Sequence, residues 1–175
     1  GFKLPDGIEA GLEATHYFQP SQAAYANGSH VAEVEVDIET GAVKILRYVV
    51  AHDCGNLINP LIVDGQVQGG VAHGIGNALL EHLYYDENAN PLTTTFSEYL
   101  LPTAELVPNV EILHLESPTP NNPLGVKGAG EGGTLPAAAV IAAAIDNALS
   151  PFGVRFKDVP IRPHQIVAAV NEATN

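Results

Sequence analysis

The stretch with the most chemical potential is Gly125-Val126-Lys127-Gly128-Ala129-Gly130-Glu131-Gly132-Gly133. Five of its nine residues are glycine, and only Lys127 and Glu131 carry charge. Glycine frees backbone N–H groups to converge, and a helix expected within a few residues adds its positive end, so the loop can gather around an anion. The order Lys-Gly-x-Gly-Glu differs from Gly-x4-Gly-Lys-Ser/Thr, which excludes a nucleotide phosphate loop. Glu131 is subject to opposed pulls: a helix N-terminus favours its anion, whereas a dry pocket favours its neutral form. That balance suits a general base. A capping carboxylate, or one paired with Lys127, is the plainer alternative.

A second unusual stretch is Gly65-Gln66-Val67-Gln68-Gly69-Gly70-Val71-Ala72-His73-Gly74-Ile75-Gly76, with five glycines inside one predicted helix. Each costs up to about 1 kcal/mol relative to Ala, so something must offset them. On a helix, Gly65, Gly69, Ala72 and Gly76 form a stripe without side chains, bordered by Gln66, Gly70, His73 and Asn77. A bare stripe admits close approach of another backbone or of a ligand, and the glutamine amides suit a large polar cofactor. Tight packing against another element is the plainer reading of the spacing.

Other reactive residues carry less. No pair among the seven histidines has His-Glu-x-x-His spacing. His73 and His82, at ~100° per residue, would fall on opposite sides of a helix, so no metal site is expected. His52-Asp53-Cys54 holds the residue types of a nucleophilic triad, but neighbours on a strand point to alternate faces. Glu33, Glu35, Asp37 and Glu39 alternate with apolar residues and read as the wet face of a strand. The single cysteine, Cys54, excludes an internal disulfide framework and a Cys-rich zinc or iron–sulfur site built from this chain alone.

The elements that must position these residues read as an α+β arrangement with mixed sheets. Residues 1–27 form an irregular leader with turn signals at Leu4-Pro5-Asp6-Gly7 and Gln19-Pro20-Ser21. Val31–Ile38 and Val43–Ala51 flank Glu39-Thr40-Gly41 as a hairpin with one buried face. Asn59-Pro60 opens one long helix over about 61–83. Strand segments follow over Leu92–Leu101 and Val110–Leu115. An Ala-rich helix over Leu135–Leu149 has Thr134 as its expected N-cap and begins almost directly after Glu131, and Pro163 opens a closing helix to about Glu172. No repeat, charge block or linker divides residues 1–175, so they read as one domain.

At 175 residues, 46% hydrophobic, the chain can bury a core of its own. Its formal net charge of −13 leaves nothing to neutralise a phosphate backbone, so nucleic acid is not an expected partner. No signal peptide or bilayer-spanning apolar run is visible, which fits a soluble, cytoplasmic protein without membrane insertion. The absence of Met and the start at Gly1-Phe2-Lys3 read as a processed product, an excised piece or a naturally split subunit.

Taken together, the motifs resemble those of the molybdenum hydroxylases, the family of xanthine dehydrogenase, aldehyde oxidases and aerobic carbon monoxide dehydrogenase. Asp53-Cys54-Gly55 with Ile58-Asn59-Pro60, then Gly65-Gln66-x-x-Gly69-Gly70, then Phe96-x-x-Tyr99, then Lys127-Gly-x-Gly-Glu131 occur in the family's order and spacing. The similarity runs from about Gly11 to Val170 and is nearest to bacterial, carbon monoxide dehydrogenase-like members. It implies the C-terminal, molybdopterin-binding part of a large subunit.

The resemblance also implies roles. Glu131 matches the catalytic base, which takes up a proton as water-derived oxygen is made nucleophilic toward an electron-poor carbon of an aldehyde, N-heterocycle or similar small substrate. Gln66 matches the glutamine beside the molybdenum cofactor, and Gly65, Gly69 and Gly70 the helix against the pterin. Asp53, Lys127, Gly128 and Gly130 are expected to contact the cofactor or shape its surroundings. The implied cofactor is molybdenum–molybdopterin in its cytosine dinucleotide form, with [2Fe–2S] clusters on a small subunit and FAD on a medium subunit as partners beside the rest of the large subunit. The isolated chain is expected to lack cofactor. The rival expectations are a non-catalytic molybdopterin-binding module and a structural or interaction domain. One departure stands out: xanthine and aldehyde oxidases commonly follow this glutamate with prolines, whereas here Gly132-Gly133 follow.

Overall fold

A computed structural model describes residues 3–8 and 11–175, so Gly1, Phe2, Glu9 and Ala10 of the leader lie outside it. The expected α+β class is found: the described residues form a three-stranded mixed sheet and three α-helices. Strand β1 (Asn27–Val36) runs antiparallel to β2 (Val43–Asp53), and β3 (Val110–His114) pairs with β2 in parallel. The hairpin is longer than its alternation suggested. On β1 the acidic Glu33 and Glu35 face solvent while Ala32, Val34 and Val36 turn inward, the period-two pattern of a half-buried strand.

Helix α1 (Pro60–Leu79) crosses the molecule, followed by α2 (Ala137–Ala148) and α3 (Pro163–Thr174). The core joins Tyr48 and Val50 of the sheet to Val67, Val71 and Ile75 of α1, Ile141 and Ile145 of α2, and Ile166 of α3, all fully enclosed. Small residues on α2 let this helix lie close against its neighbours. None of the described helices is long and apolar enough to cross a membrane.

The start of α1 follows from two side chains. Pro60 cannot donate where no donor is needed, and the Asn59 carboxamide accepts from the Ile62 N–H. Asn59→Ala should therefore cost about 1 kcal/mol, the usual value of such a cap. Denaturant unfolding would show it as a lower midpoint with unchanged slope.

Three expectations fail. Leu92–Leu101 is not a strand. The Glu98 carboxylate accepts from the Thr94 and Thr95 backbone N–H groups and their hydroxyls, folding the chain into a turn, and Phe96 is left exposed. Local side-chain acceptors here outcompete a ladder that would have had no partner. Thr134 does not cap α2: its carbonyl accepts from Ala137, and Pro136 is the capping residue without a side-chain bond. A run of turn separates Glu131 from the helix, so the helix does not begin at the loop. Finally, α1 ends before His82, which stacks on Tyr84 rather than sharing a helix with His73.

Candidate active site

The glycine loop is fastened at its start to the end of β2. Gly55 and Val126 form an antiparallel bridge, the Lys127 N–H donates to the Cys54 carbonyl at 2.7 Å, and the Asn56 N–H donates to the Gly125 carbonyl. Both Gly55 and Gly125 have positive φ, 72° and 67°, and a Cβ on Gly55 would lie 2.1 Å from the Gly125 oxygen. Only glycine meets both demands, the left-handed backbone and the near contact. Two motifs far apart in sequence are thus one structural joint.

Beneath that joint lies a charge pair. Asp53 accepts from the Gly55 N–H at 2.9 Å, the Ser117 N–H at 3.1 Å and the Lys127 ammonium at 3.3 Å. The two side chains are only 9% and 10% exposed. Burial opposes ionisation of Asp53, but the Gly55 N–H, the Ser117 hydroxyl and N–H, and Lys127 outweigh it and hold the carboxyl well below the usual carboxylate range. Asp53 and Lys127, expected near a cofactor, are therefore committed to each other and to the loop's anchorage.

Glu131 is left free by this arrangement. Its side chain is exposed and takes part in none of the ion pairs among the described residues, so the pairing with Lys127 that sequence allowed is not formed. Its backbone carbonyl accepts from the Thr134 and Leu135 N–H groups and closes the turn that follows. The carboxylate stands at a concavity of about 460 Å³, lined by Tyr25, Asn27, Gly28, Gly128, Gly130 and Leu135 among others. The leader's last residues, to which sequence assigned no role, form the wall opposite the loop.

The downstream half of the loop rests on α1. A Cβ on Gly133 would meet the Val67 carbonyl oxygen at 2.2 Å, and one on Gly70 would meet Gly133 and Thr134 backbone at 2.8 Å. Gly70, grouped with the cofactor-facing residues by sequence, is buried as the seat of this loop, and Gly76 is buried beside Glu81 and Pro102. The glycines of α1 thus divide in two. Gly70, Gly74 and Gly76 pack inward, whereas a Cβ on Gly65 or Gly69 would meet nothing.

That open face decides whether a molybdopterin fits. Gly65 and Gly69 present uncovered backbone with Gln66 and Gln68 exposed beside them, and Gly128 and Gly130 are equally unobstructed. Glutamine amides and bare peptide edges can donate to and accept from a phosphate or a pterin edge. The residues fit such a group approached from outside this chain. Among the described residues no three His, Cys, Asp or Glu side chains converge as a metal site. Cys54 is buried, and burial pushes its thiol up, away from nucleophile behaviour.

Sequence reasoning gave no role to a row of three histidines behind the loop, of which His52 is buried and His30 and His114 are half-buried. His30 pairs through Nδ1 with the Tyr48 hydroxyl at 2.8 Å, and His114 through Nε2 with Asp64 at 2.6 Å. His52, 1% exposed, sits on the central strand β2 with neither ring nitrogen hydrogen-bonded. Burial disfavours its protonation, His114 adds to that, and burial likewise lowers His30. Their positions on three strands gave no sequence signal, because register is not written in local spacing.

Comparison with known proteins accords with this geometry. The molybdopterin cofactor-binding domain family matches residues 5–108. The chain is 44% identical over 167 residues to the nicotine 6-hydroxylase large subunit of Paenarthrobacter nicotinovorans, covering 95% of this chain and 20% of that protein. It is 34% identical over 168 residues to the carbon monoxide dehydrogenase large chain of Hydrogenophaga pseudoflava, covering 96% and 21%. The crystal structure of quinoline 2-oxidoreductase from Pseudomonas putida 86 superposes with a TM-score of 0.89 at 43% identity, over 96% of this chain and 21% of that one. The chain therefore spans about a fifth of the length of the relatives it matches. With the family matched over more than half its length and the fold shared with the solved enzyme, this chain belongs to the molybdopterin cofactor-binding domains of the molybdenum hydroxylase large subunits.

Proposed function

We propose that this chain supplies the base, Glu131, and one wall of the cofactor cradle of a molybdenum-dependent oxidoreductase that hydroxylates a carbon of an N-heteroaromatic or aldehyde with oxygen from water. The observation that carries the reading is that the loop's one cation is bound to Asp53, which leaves the Glu131 carboxylate exposed and unpaired at a concavity. The overall change is R–H + H2O → R–OH plus two electrons and two protons. The bound molybdenum–molybdopterin group, in its cytosine dinucleotide form, supplies the two-electron acceptor, and [2Fe–2S] clusters and FAD on partner subunits carry the electrons onward.

The chain's own residues then divide the remaining work. Gln66, with Gly65 and Gly69, holds the cofactor edge by amide and backbone contacts. Gly128 and Gly130 keep the approach to Glu131 clear, and Glu131 takes one proton through a carboxylate oxygen as the water-derived oxygen attacks. Asp53 and Lys127 keep the loop anchored. Tyr25 and Asn27 form the wall against which a small substrate would lie. Two close relatives, a nicotine 6-hydroxylase large subunit and a quinoline 2-oxidoreductase, favour an N-heteroaromatic substrate.

Oxidation of quinoline and of nicotine by the assembled enzyme in 18O-labelled water tests this. The product hydroxyl should carry the label, and molybdenum and pterin should be present in the protein. Cofactor without oxidation of any N-heteroaromatic or aldehyde would favour a binding module, and a protein without cofactor a structural domain. Alone, the 175-residue chain should retain no stoichiometric molybdenum, because one wall leaves a dinucleotide-sized ligand largely exposed.

A further inference from the structure

The two glycines after Glu131 pose a question that turn geometry does not answer. Neither Gly132 nor Gly133 has a positive φ, so the backbone there would accept other residues. The constraint is space. A Cβ on Gly133 would strike the Val67 carbonyl oxygen at 2.2 Å, and one on Gly132 would strike His52 Nε2 at 2.3 Å and Cδ2 at 2.7 Å.

The His52 ring has nowhere to go. It is 1% exposed, and its backbone is held on both sides, opposite Gly28 of β1 and His114 of β3. The His114 ring stands edge-on at 6.4 Å between centroids and is itself tied to Asp64. His30, tied to Tyr48, lies beside the Gly132 backbone. A rigid imidazole therefore touches the residue next to Glu131, with no intervening side chain.

We propose that His52 is a positioning residue for the Glu131 loop: its ring is the stop against which Gly132 rests, and it sets how far the carboxylate stands into the concavity. This rests on the reading of Glu131 as the base. Positions 52 and 132 share one space, so volume added at Gly132 must be removed at His52.

The test compares Gly132→Ala, Gly132→Ala/His52→Val, Gly133→Ala and Gly133→Ala/His52→Val in the assembled enzyme. His52→Val suits a central strand and removes two buried nitrogens that lack partners. Two quantities are read: kcat per bound molybdenum with quinoline, and hydrogen–deuterium exchange of the peptide spanning Gly128 to Leu135. In Gly132→Ala the loop must give by roughly 1 Å, which costs on the order of a hundredfold in kcat, with faster exchange of that peptide. Adding His52→Val should restore most of both for Gly132→Ala and neither for Gly133→Ala, whose obstacle is a backbone carbonyl. A loss of stability alone would lower the loaded fraction without changing kcat per molybdenum.

Wild-type behaviour of Gly132→Ala, or a double variant no better than Gly132→Ala alone, overturns the proposal. If Gly132→Ala yields no soluble enzyme, recovery of molybdenum-loaded protein in the double variant supports the proposal and failure to recover overturns it. Exchange judges the contact even if Glu131→Gln proves fully active, so the two ideas can fail separately.

Discussion

Replacing Lys127 by Met should lower the stability of the fold by about 3 kcal/mol at pH 7, because removing one partner of a buried pair leaves the other charge uncompensated. Asp53 would keep its bonds from the Gly55 and Ser117 N–H groups but lose the ammonium. The lower end of the usual range applies because those two donors remain. The double variant Asp53→Asn/Lys127→Met should cost less than Lys127→Met alone, since Asn accepts the same two bonds without a charge. Urea midpoints of wild type, Lys127→Met and the double variant measure this directly, and a double variant worse than the single one would contradict it.

The same pair predicts a pH dependence. The folded-state pKa of Asp53 is depressed, so its contribution is fully present above the unfolded value of about 3.9 and is lost as pH falls through the folded value. Wild type should therefore keep this contribution across neutral and mildly acid solution. In Lys127→Met the depression shrinks and burial acts with less opposition, so the contribution should be smaller and its loss, which starts at the same unfolded value, should be complete at a higher pH.

The motifs that organise the site were visible in the sequence because each depends on local chemistry. Asn59-Pro60 starts a helix by a cap and a missing donor. The alternation through β1 marks a half-wet strand, and a dense cluster of glycines marks a loop near contact with something. What local chemistry cannot encode is the partner. Lys127 could pair with Glu131 four residues away or with Asp53 across the fold, and only the bridge between Gly55 and Val126 decides it. Gly70 reads as a border of the bare stripe and Gly76 as a member of it, yet Gly70 is the seat of the Gly133 backbone and Gly76 packs against Glu81 and Pro102. Ala24–Gly28 carries no periodicity, yet it faces Glu131 because β1 begins there. Leu92–Leu101 has strand composition, but the Glu98 carboxylate offers its backbone a nearer partner.

Glu131→Gln is expected to produce the largest functional loss. Glutamine keeps the size and the exposed position of the side chain but cannot accept a proton, so only proton transfer is removed. General bases contribute about 10²–10⁴-fold, and a loss of that size should fall on kcat. Gln66, Gly65 and Gly69, which are proposed to hold the cofactor, are untouched, so molybdenum and pterin should remain bound. The most direct measurement is therefore turnover of quinoline or nicotine per bound molybdenum in Glu131→Gln beside wild type. The account predicts full metal content with turnover lower by at least about a hundredfold; full metal content with wild-type turnover would contradict it.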